Sequence, residues 1–180
     1  SVCVSTQVGC AAGCHFCATG QSGFLRNLTC GEIVDQVLSI QQTTGQRISH
    51  VVYMGMGEPL WNLPAVLASI ELLNQQVGIS ERSITVSTVG IVPVMRELAV
   101  MSPRFTLAIS LHAADDATRA EIMPMAKRWT ISEVLNAGRY YTEQTGRKVT
   151  IEYLLIDGVN NSSQQATKLA HLLDQWTGNV

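Results

Sequence analysis

The stretch Cys10-Ala-Ala-Gly-Cys14-His-Phe-Cys17 places three cysteines within eight residues, and a glycine turn follows at Gly20. Thiolates at this spacing can wrap one compact polynuclear metal centre, because a short loop brings all of them to one side. The other two cysteines, Cys3 and Cys30, lie nearby, so the total is odd and confined to the first 30 residues. An odd, local set indicates a thiolate site in a reducing cytosol rather than an extracellular disulfide framework.

Composition places the chain among folded domains. Its 180 residues are 46% hydrophobic and 14% charged, which excludes intrinsic disorder and allows one domain of ordinary size. No apolar run reaches the roughly 18 residues that a membrane helix needs, so no membrane association is expected. The net charge of −2 offers no support for nucleic-acid binding by bulk charge. The first residue is Ser1 and the last is Val180, and we expect the chain to be a segment of a longer protein.

Five extended apolar segments alternate with helical patterns along the chain. Helix starts are indicated by the capping pairs Thr29/Glu32 and Thr130/Glu133, and by prolines in first turns. Serial strand–helix units predict a parallel α/β sheet with right-handed crossovers, and both a partial barrel and a doubly wound open sheet fit that pattern. The strands are predicted at residues 2–8, 50–54, 84–86, 105–111 and 148–156.

The remaining helix signals lie between these strands. Asn62 is expected to cap the helix that begins near Leu63, and residues 115–123 are predicted to form one helix before Pro124. After the fifth strand, Ser162 and Gln165 are predicted to cap a last helix that runs through Leu169, Leu172 and Leu173.

Each unusual motif follows the carboxyl end of a predicted strand. The cysteines follow the first strand, residues 55–59 (Gly-Met-Gly-Glu-Pro) the second, and Ser87 the third, and residues 110–112 (Ser-Leu-His) end the fourth. In parallel α/β sheets, ligands bind at the carboxyl ends of the strands. We therefore expect these motifs to form one site.

The cysteine spacing resembles the signature of the radical S-adenosylmethionine (SAM) superfamily. That resemblance implies that Cys10, Cys14 and Cys17 hold a [4Fe-4S] cluster whose fourth iron binds the amino and carboxylate groups of SAM. It further implies that an electron from the cluster breaks the sulfonium and yields a 5′-deoxyadenosyl radical. From the residues alone, a zinc site with Cys3, Cys30 or His15 as the fourth ligand is the alternative.

A longer series of motifs resembles the RNA adenosine methyltransferases of the RlmN/Cfr family. The resemblance implies a radical-SAM partial (β/α) barrel with five of its six βα units present. It also implies that SAM is contacted by Gly57, Glu58, Ser87, Ser110, Leu111 and His112. The motifs occur in family order at residues 3–10, 16–20, 26–28, 54–59, 87–90, 109–112 and 158–160.

Cys3 lies seven residues before the first predicted ligand, where the family has a cysteine that is not a ligand. The resemblance implies that its thiol forms a transient disulfide with a methylated C-terminal cysteine and so releases an RNA–protein adduct. No cysteine follows Cys30, so that acceptor is not in this chain. We expect residues 1–180 to be the radical SAM core, lacking the family's N-terminal RNA-binding domain and C-terminal segment. Methyl transfer by this chain alone is not expected.

The resemblance also defines the expected activity. It implies methylation of adenosine in 23S ribosomal RNA, with or without transfer RNA, with flavodoxin or ferredoxin as electron donor, in a cytoplasmic protein that is monomeric at full length. Methylation at C2 is favoured over C8, because Gln7-Val8-Gly9 is more similar to the C2 enzymes. The alternatives are a radical SAM enzyme with another substrate and a zinc-stabilised α/β interaction module.

Overall fold

The central sheet has five parallel strands that follow one another in chain order. The computed structural model describes residues 1–180. The sheet order is β1-β4-β5-β6-β7, and every neighbouring pair is parallel. A doubly wound sheet reverses its order at a switch point, so the partial barrel is the correct one of the two predicted arrangements. The strands are β1 Val2–Cys3, β2 Gln7–Gly9, β3 Phe24–Asn27, β4 Val51–Tyr53, β5 Ile84–Thr88, β6 Thr106–Ser110 and β7 Thr150–Glu152.

Seven α-helices connect and cover these strands. Both predicted capping boxes are present: the Thr29 and Thr130 hydroxyls accept from the backbone of Glu32 and Glu133, whose carboxylates bind back. These reciprocal bonds satisfy amide groups that a helix start otherwise leaves unpaired. None of the helices is long and apolar enough to cross a membrane. The helices are α1 Ala18–Gln21, α2 Cys30–Thr44, α3 Leu63–Gln75, α4 Val92–Met101, α5 Asp116–Ile122, α6 Ile131–Thr145 and α7 Ser163–Leu172.

The two faces of the sheet differ in character. Along β5, Ile84, Val86 and Thr88 are buried, whereas Thr85 and Ser87 are only half-buried. Successive strand side chains point to opposite faces, so Ile84 and Val86 pack into the hydrophobic core while Thr85 and Ser87 face the interior of the partial barrel. This division places hydroxyl and carboxylate side chains at the open face.

The first predicted strand is interrupted. Residues 2–8 do not form one strand, because the chain leaves the sheet after Val4 and Gln7–Gly9 pairs antiparallel with Phe24–Asn27. The sequence pattern missed this second hairpin strand since all four of its residues are exposed and show no apolar alternation. The hairpin projects from the sheet beside the cysteine loop.

Asn62 does not cap helix α3 through its side chain, contrary to the prediction. Its Nδ2 donates instead to the carbonyl oxygens of Thr6 and Leu28, each at 2.8 Å. The buried amide therefore fastens the start of α3 to both ends of the hairpin region. The side chain does not cap the helix because its amide forms hydrogen bonds with these two carbonyls, which lie far away in sequence and would otherwise lack a partner.

The last strand is shorter than predicted, and its outer edge is partly paired. Only Thr150–Glu152 of the predicted 148–156 segment is strand. After α7 the chain returns to this edge, where Ile151 donates its amide to the carbonyl of Asn179 at 2.9 Å and Thr150 pairs with Asn179 in parallel. Residue 179 thus lies where a sixth parallel strand would add to the sheet.

Candidate active site

A cavity of about 260 Å³ opens at the carboxyl ends of the strands. Eight of the ten predicted site residues border it, so motifs spread over about a hundred residues of sequence come together at one place. Those eight are Cys10, Cys14, Cys17, Gly57, Glu58, Ser87, Ser110 and His112.

The two remaining residues lie elsewhere. The Leu111 side chain is fully buried in the hydrophobic core, so only its backbone lies near the site. Cys3 is exposed on β1, opposite Val52, and does not border the cavity. All five cysteines are free thiols, so the transient disulfide at Cys3 stays a prediction.

The cysteine loop is held by its own backbone. Cys10 donates its amide to Gly23 at 2.8 Å, and Cys17 donates to the carbonyl of Cys14 at 3.1 Å. Gly20 closes the loop where a Cβ would lie 2.8 Å from the Cys14 oxygen, so no larger residue fits there. Within the loop, the Ala12 amide donates to the Cys10 sulfur at 3.5 Å. The backbone therefore already provides one N–H donor for a thiolate.

Burial controls the charge of these thiols. It raises the pKa of Cys10, and together with the nearby Cys10 and Cys17 sulfurs it raises the pKa of Cys14 to about 12. No lysine or arginine borders the cavity to offset a thiolate charge. A bound metal centre would supply the positive charge that favours the thiolate form of Cys10 and Cys14.

The donor set fits an iron–sulfur cluster. No three His, Cys, Asp or Glu side chains are gathered closely enough to hold a single metal ion. The three thiols instead border one wider cavity, and thiolates are the ligands that hold iron–sulfur clusters. With three cysteines, one iron would remain free for another ligand.

Glu58 is a buried carboxylate with no cationic partner in the chain. Its Oε2 accepts from the Val89 amide at 2.8 Å and its Oε1 from the Leu60 amide at 3.1 Å. Burial outweighs these bonds and raises the pKa of Glu58 from 4.5 to about 7. Such a group favours a positively charged ligand, because a cation would stabilise its ionised form.

Gly57 holds the chain close to the hairpin next to this carboxylate. Its φ is +106°, and a Cβ there would lie 2.7 Å from atoms of Thr6 and Gln7. Gln7 in turn accepts the Glu58 amide on its Oε1 at 2.9 Å. Glycine is therefore required here both by backbone conformation and by space.

His112 lies at the end of β6 in a left-handed conformation, with φ 56°. Its Nδ1 accepts from the Leu154 amide at 3.0 Å, so the neutral ring carries its proton on Nε2. Burial lowers the pKa of His112 to about 4, which keeps the ring neutral near pH 7. The ring packs edge-on against Phe16 of the cysteine loop, with centroids 5.0 Å apart. His112 thus offers a donor N–H at the cavity.

Ser87 and Ser110 stand on neighbouring strands with their hydroxyl oxygens 3.4 Å apart. Arg119 fastens the ends of the same two strands and is 1% exposed. Its guanidinium donates to the carbonyls of Val89 at 2.7 Å, Ser110 at 3.0 Å and Leu111 at 3.1 Å. The arginine forms no salt bridge, so its guanidinium hydrogen bonds go to the backbone carbonyls around the site.

Sequence reasoning missed several residues that border the cavity. The most informative is Glu152, which ends β7 in register with Ser110. Glu152 lies in the middle of the predicted strand 148–156, so the strand-end rule does not select it, and only the shorter observed strand Thr150–Glu152 places it at a carboxyl end. Gly55 and Pro59 belong to the predicted 55–59 motif, and the other lining residues are Ala12, Phe16, Thr19, Tyr53, Met54, Thr88, Val89 and Met123.

Comparison with known proteins agrees with this geometry. Residues 4–170 match the model of the Radical SAM superfamily. The chain is 52% identical over its whole length to a probable dual-specificity RNA methyltransferase RlmN from Thermosynechococcus vestitus, of which it covers 53%. It is 51% identical, over 96% of its length, to a protein of the same name from Clostridium perfringens, of which it covers 50%. The chain therefore spans about half the length of these curated relatives.

Solved structures show the same fold. A radical SAM methyltransferase from Sphaerobacter thermophilus aligns with 95% of this chain and 52% of its own, at a TM-score of 0.90 and 46% identity. Streptococcus suis SuiB bound to S-adenosylmethionine aligns with 98% of this chain and 38% of its own, at a TM-score of 0.67 and 17% identity. The second likeness concerns the fold alone.

Proposed function

The chain belongs to the radical SAM superfamily, and from this we propose that it is the catalytic core of an RNA adenosine methyltransferase. The superfamily's cofactors are a [4Fe-4S] cluster and SAM. The proposed substrate is adenosine in 23S ribosomal RNA, with or without transfer RNA, methylated at C2. Relatives that carry the RNA methyltransferase name are about half identical to the chain, and this similarity supports the substrate class.

The observation that carries the proposal is the shared cavity of three thiols and five predicted SAM-contacting residues. In this proposal Cys10, Cys14 and Cys17 hold the cluster. When bound, the cluster supplies the electron for reductive cleavage of SAM. Burial raises the pKa of Cys10 and Cys14, and the positive charge of a bound metal centre would favour their thiolate forms.

The polar residues of the cavity suit the parts of SAM. Glu58 would pair with the ammonium group, since its carboxylate has backbone donors but no cation of its own. His112 would donate from Nε2, because Nδ1 is already occupied by the Leu154 amide. The hydroxyls of Ser87 and Ser110, each able to donate or accept, would bind polar groups at the adjoining strand ends.

Cys3 keeps its proposed role in resolving an RNA–protein adduct through a transient disulfide. Its exposure on β1 leaves the thiol accessible to a second cysteine, which has to come from outside these 180 residues. The proposal places the activity in the cytoplasm, where thiols stay reduced, with a flavodoxin or ferredoxin as electron donor and a monomeric full-length protein.

Cofactor chemistry is tested on the chain alone. Anaerobically reconstituted protein, given SAM and a chemical reductant, is expected to release 5′-deoxyadenosine without forming methyladenosine in added ribosomal RNA. Protein that binds zinc and no iron would instead support an interaction module. If a small molecule or peptide stimulates release of 5′-deoxyadenosine and no methylated RNA ever forms, the chain would instead be a radical SAM enzyme with another substrate.

The RNA substrate is tested in a chimera. The 180 residues replace the matching segment of the Thermosynechococcus vestitus relative, with which they are 52% identical, and the chimera is assayed for 2-methyladenosine in transcribed 23S RNA. We expect methylation by the chimera and none by its Cys10→Ala variant. A chimera that binds its cluster and cleaves SAM, yet leaves RNA unmodified, would contradict the assignment.

A further inference from the structure

Two carboxylates border the cavity, and only one has a partner. Glu58 accepts two backbone hydrogen bonds. The Glu152 carboxylate accepts none from the chain, and both salt bridges, Arg26–Glu32 and Lys168–Asp115, involve other residues. The cavity lining contains no lysine or arginine and His112 is neutral, so the residues around the cavity offer no cation to Glu152.

The backbone fixes the position of Glu152. Its carbonyl accepts from the amides of Leu111 at 3.0 Å and His112 at 3.4 Å. It lies in register with Ser110 on the face that lines the cavity, while its neighbour Ile151 is buried in the core on the opposite face. The side chain is half-buried, so its charge acts on the cavity with less screening than an exposed surface charge.

We propose that Glu152 determines specificity by recognising the positive charge of the SAM sulfonium, an inference that rests on the proposed function. SAM and its demethylated product, S-adenosylhomocysteine, share the ammonium, carboxylate, ribose and adenine groups. They differ in one methyl group and in the charge on sulfur, because the product is a neutral thioether. Glu58, paired with the shared ammonium, does not distinguish them. An unpartnered carboxylate placed next to the sulfur would distinguish them, since the neutral thioether of the product offers it no charge.

The test compares three ligands on anaerobically reconstituted protein. SAM carries a sulfonium, S-adenosylhomocysteine a neutral thioether, and sinefungin an amine-bearing carbon that is also cationic. The substitution Glu152→Gln removes the charge and keeps the shape. We expect Glu152→Gln to weaken the binding of SAM and of sinefungin by about tenfold, measured by equilibrium dialysis. A change of this size corresponds to the loss of one screened charge interaction. Binding of S-adenosylhomocysteine should stay within about twofold of wild type.

Two controls separate charge from structure. Glu143→Gln changes an exposed glutamate on α6 and should leave all three affinities as they are. In the wild-type protein, raising the salt concentration should reduce the preference for SAM over S-adenosylhomocysteine, a measurement that needs no folded variant.

The outcomes distinguish the two proposals. If Glu152→Gln weakens all three ligands equally, the carboxylate binds a shared group such as the ribose hydroxyls, and the charge-recognition proposal is wrong while the function stands. An unchanged preference for SAM in the variant has the same consequence. If the wild-type protein binds none of the three ligands with its cluster in place, the proposed function fails and this inference fails with it.

Discussion

Asn160 donates its side-chain amide to the carbonyl oxygen of His112 at 2.7 Å, across 48 residues of sequence. The same amide donates to Leu154 at 2.7 Å, and its oxygen accepts from Ile156 at 2.6 Å. Because the Leu154 amide also binds the His112 ring, this one buried asparagine orders both the backbone and the imidazole of His112. The loop after β7 thereby supports the left-handed residue His112, which lies two residues after the end of β6.

Replacing Asn160 with alanine should loosen this arrangement. The buried carbonyl of His112, the part-buried carbonyl of Leu154 and the part-buried amide of Ile156 would lose their partner. An unsatisfied buried group costs about 1–3 kcal/mol, and water would relieve part of this at the less buried two. We expect the free energy of unfolding to fall by about 2 kcal/mol or more, measured by urea denaturation, with weaker SAM binding. Asn161→Ala, at an exposed position in the same loop, is the control. Equal stability of the two variants would show that Asn160 does not organise the loop.

Arg119 should not be replaceable by lysine. Its planar guanidinium reaches carbonyls on the ends of both β5 and β6, whereas an ammonium is a single point donor. We expect Arg119→Lys to lower the free energy of unfolding by about 2–4 kcal/mol, measured by chemical denaturation. The matched variant Arg139→Lys alters a side chain that bonds only Asn136 on its own helix and should have little effect. Stability equal to wild type in Arg119→Lys would contradict this role.

Iron binding should depend on three cysteines and not on a fourth. Replacing Cys10, Cys14 or Cys17 with alanine removes one predicted ligand, so the brown chromophore and iron content of reconstituted protein should be lost. Cys30→Ala, in the first turn of α2, should reconstitute like wild type. The iron and sulfide content of each variant, together with EPR spectra of the reduced protein, measures whether a cluster has formed. Full iron content in a protein lacking all three cysteines would mean that the ligands are elsewhere.

The cofactor-free protein should show a pH dependence that comes from Glu58. Burial raises its pKa from 4.5 to about 7, so the folded state holds a proton that the unfolded chain releases. The contribution of Glu58 to the free energy of unfolding is therefore full below pH 4.5 and is lost as the pH rises through about 7. The total loss is at most about 3 kcal/mol.

His112 acts in the opposite direction and makes a comparison necessary. Burial lowers the pKa of His112 from 6.5 to about 4, so its contribution is lost as the pH falls through that range. We therefore expect the difference in unfolding free energy between wild type and Glu58→Gln to change between pH 5 and 8. The wild type should lose stability relative to the variant as pH rises. A difference that is constant with pH would show that Glu58 is not the titrating group.

Local sequence signals account for most of the fold. The two capping boxes depend on residues three apart, and each was located from the sequence alone because the bonds form within one helical turn. The alternation of strands and helices is compatible with both a partial barrel and a doubly wound sheet, because it does not specify on which side of the sheet each connection adds the next strand. The exposed hairpin strand Phe24–Asn27 was missed because its pairing with Gln7–Gly9, not its own pattern, makes it a strand.

The same division holds for the site. The spacing of Cys10, Cys14 and Cys17 predicts that they act together, because residues on one short loop are neighbours in sequence as well as in space. Glu152 became visible only when register placed it beside Ser110, and Arg119 and Asn160 only when loops from distant strands met. Buried polar groups take whichever partners tertiary packing brings within reach. The sequence by itself therefore determined which cysteines are the predicted metal ligands. The tertiary structure decided which other residues support the cavity around them and which charged groups border it.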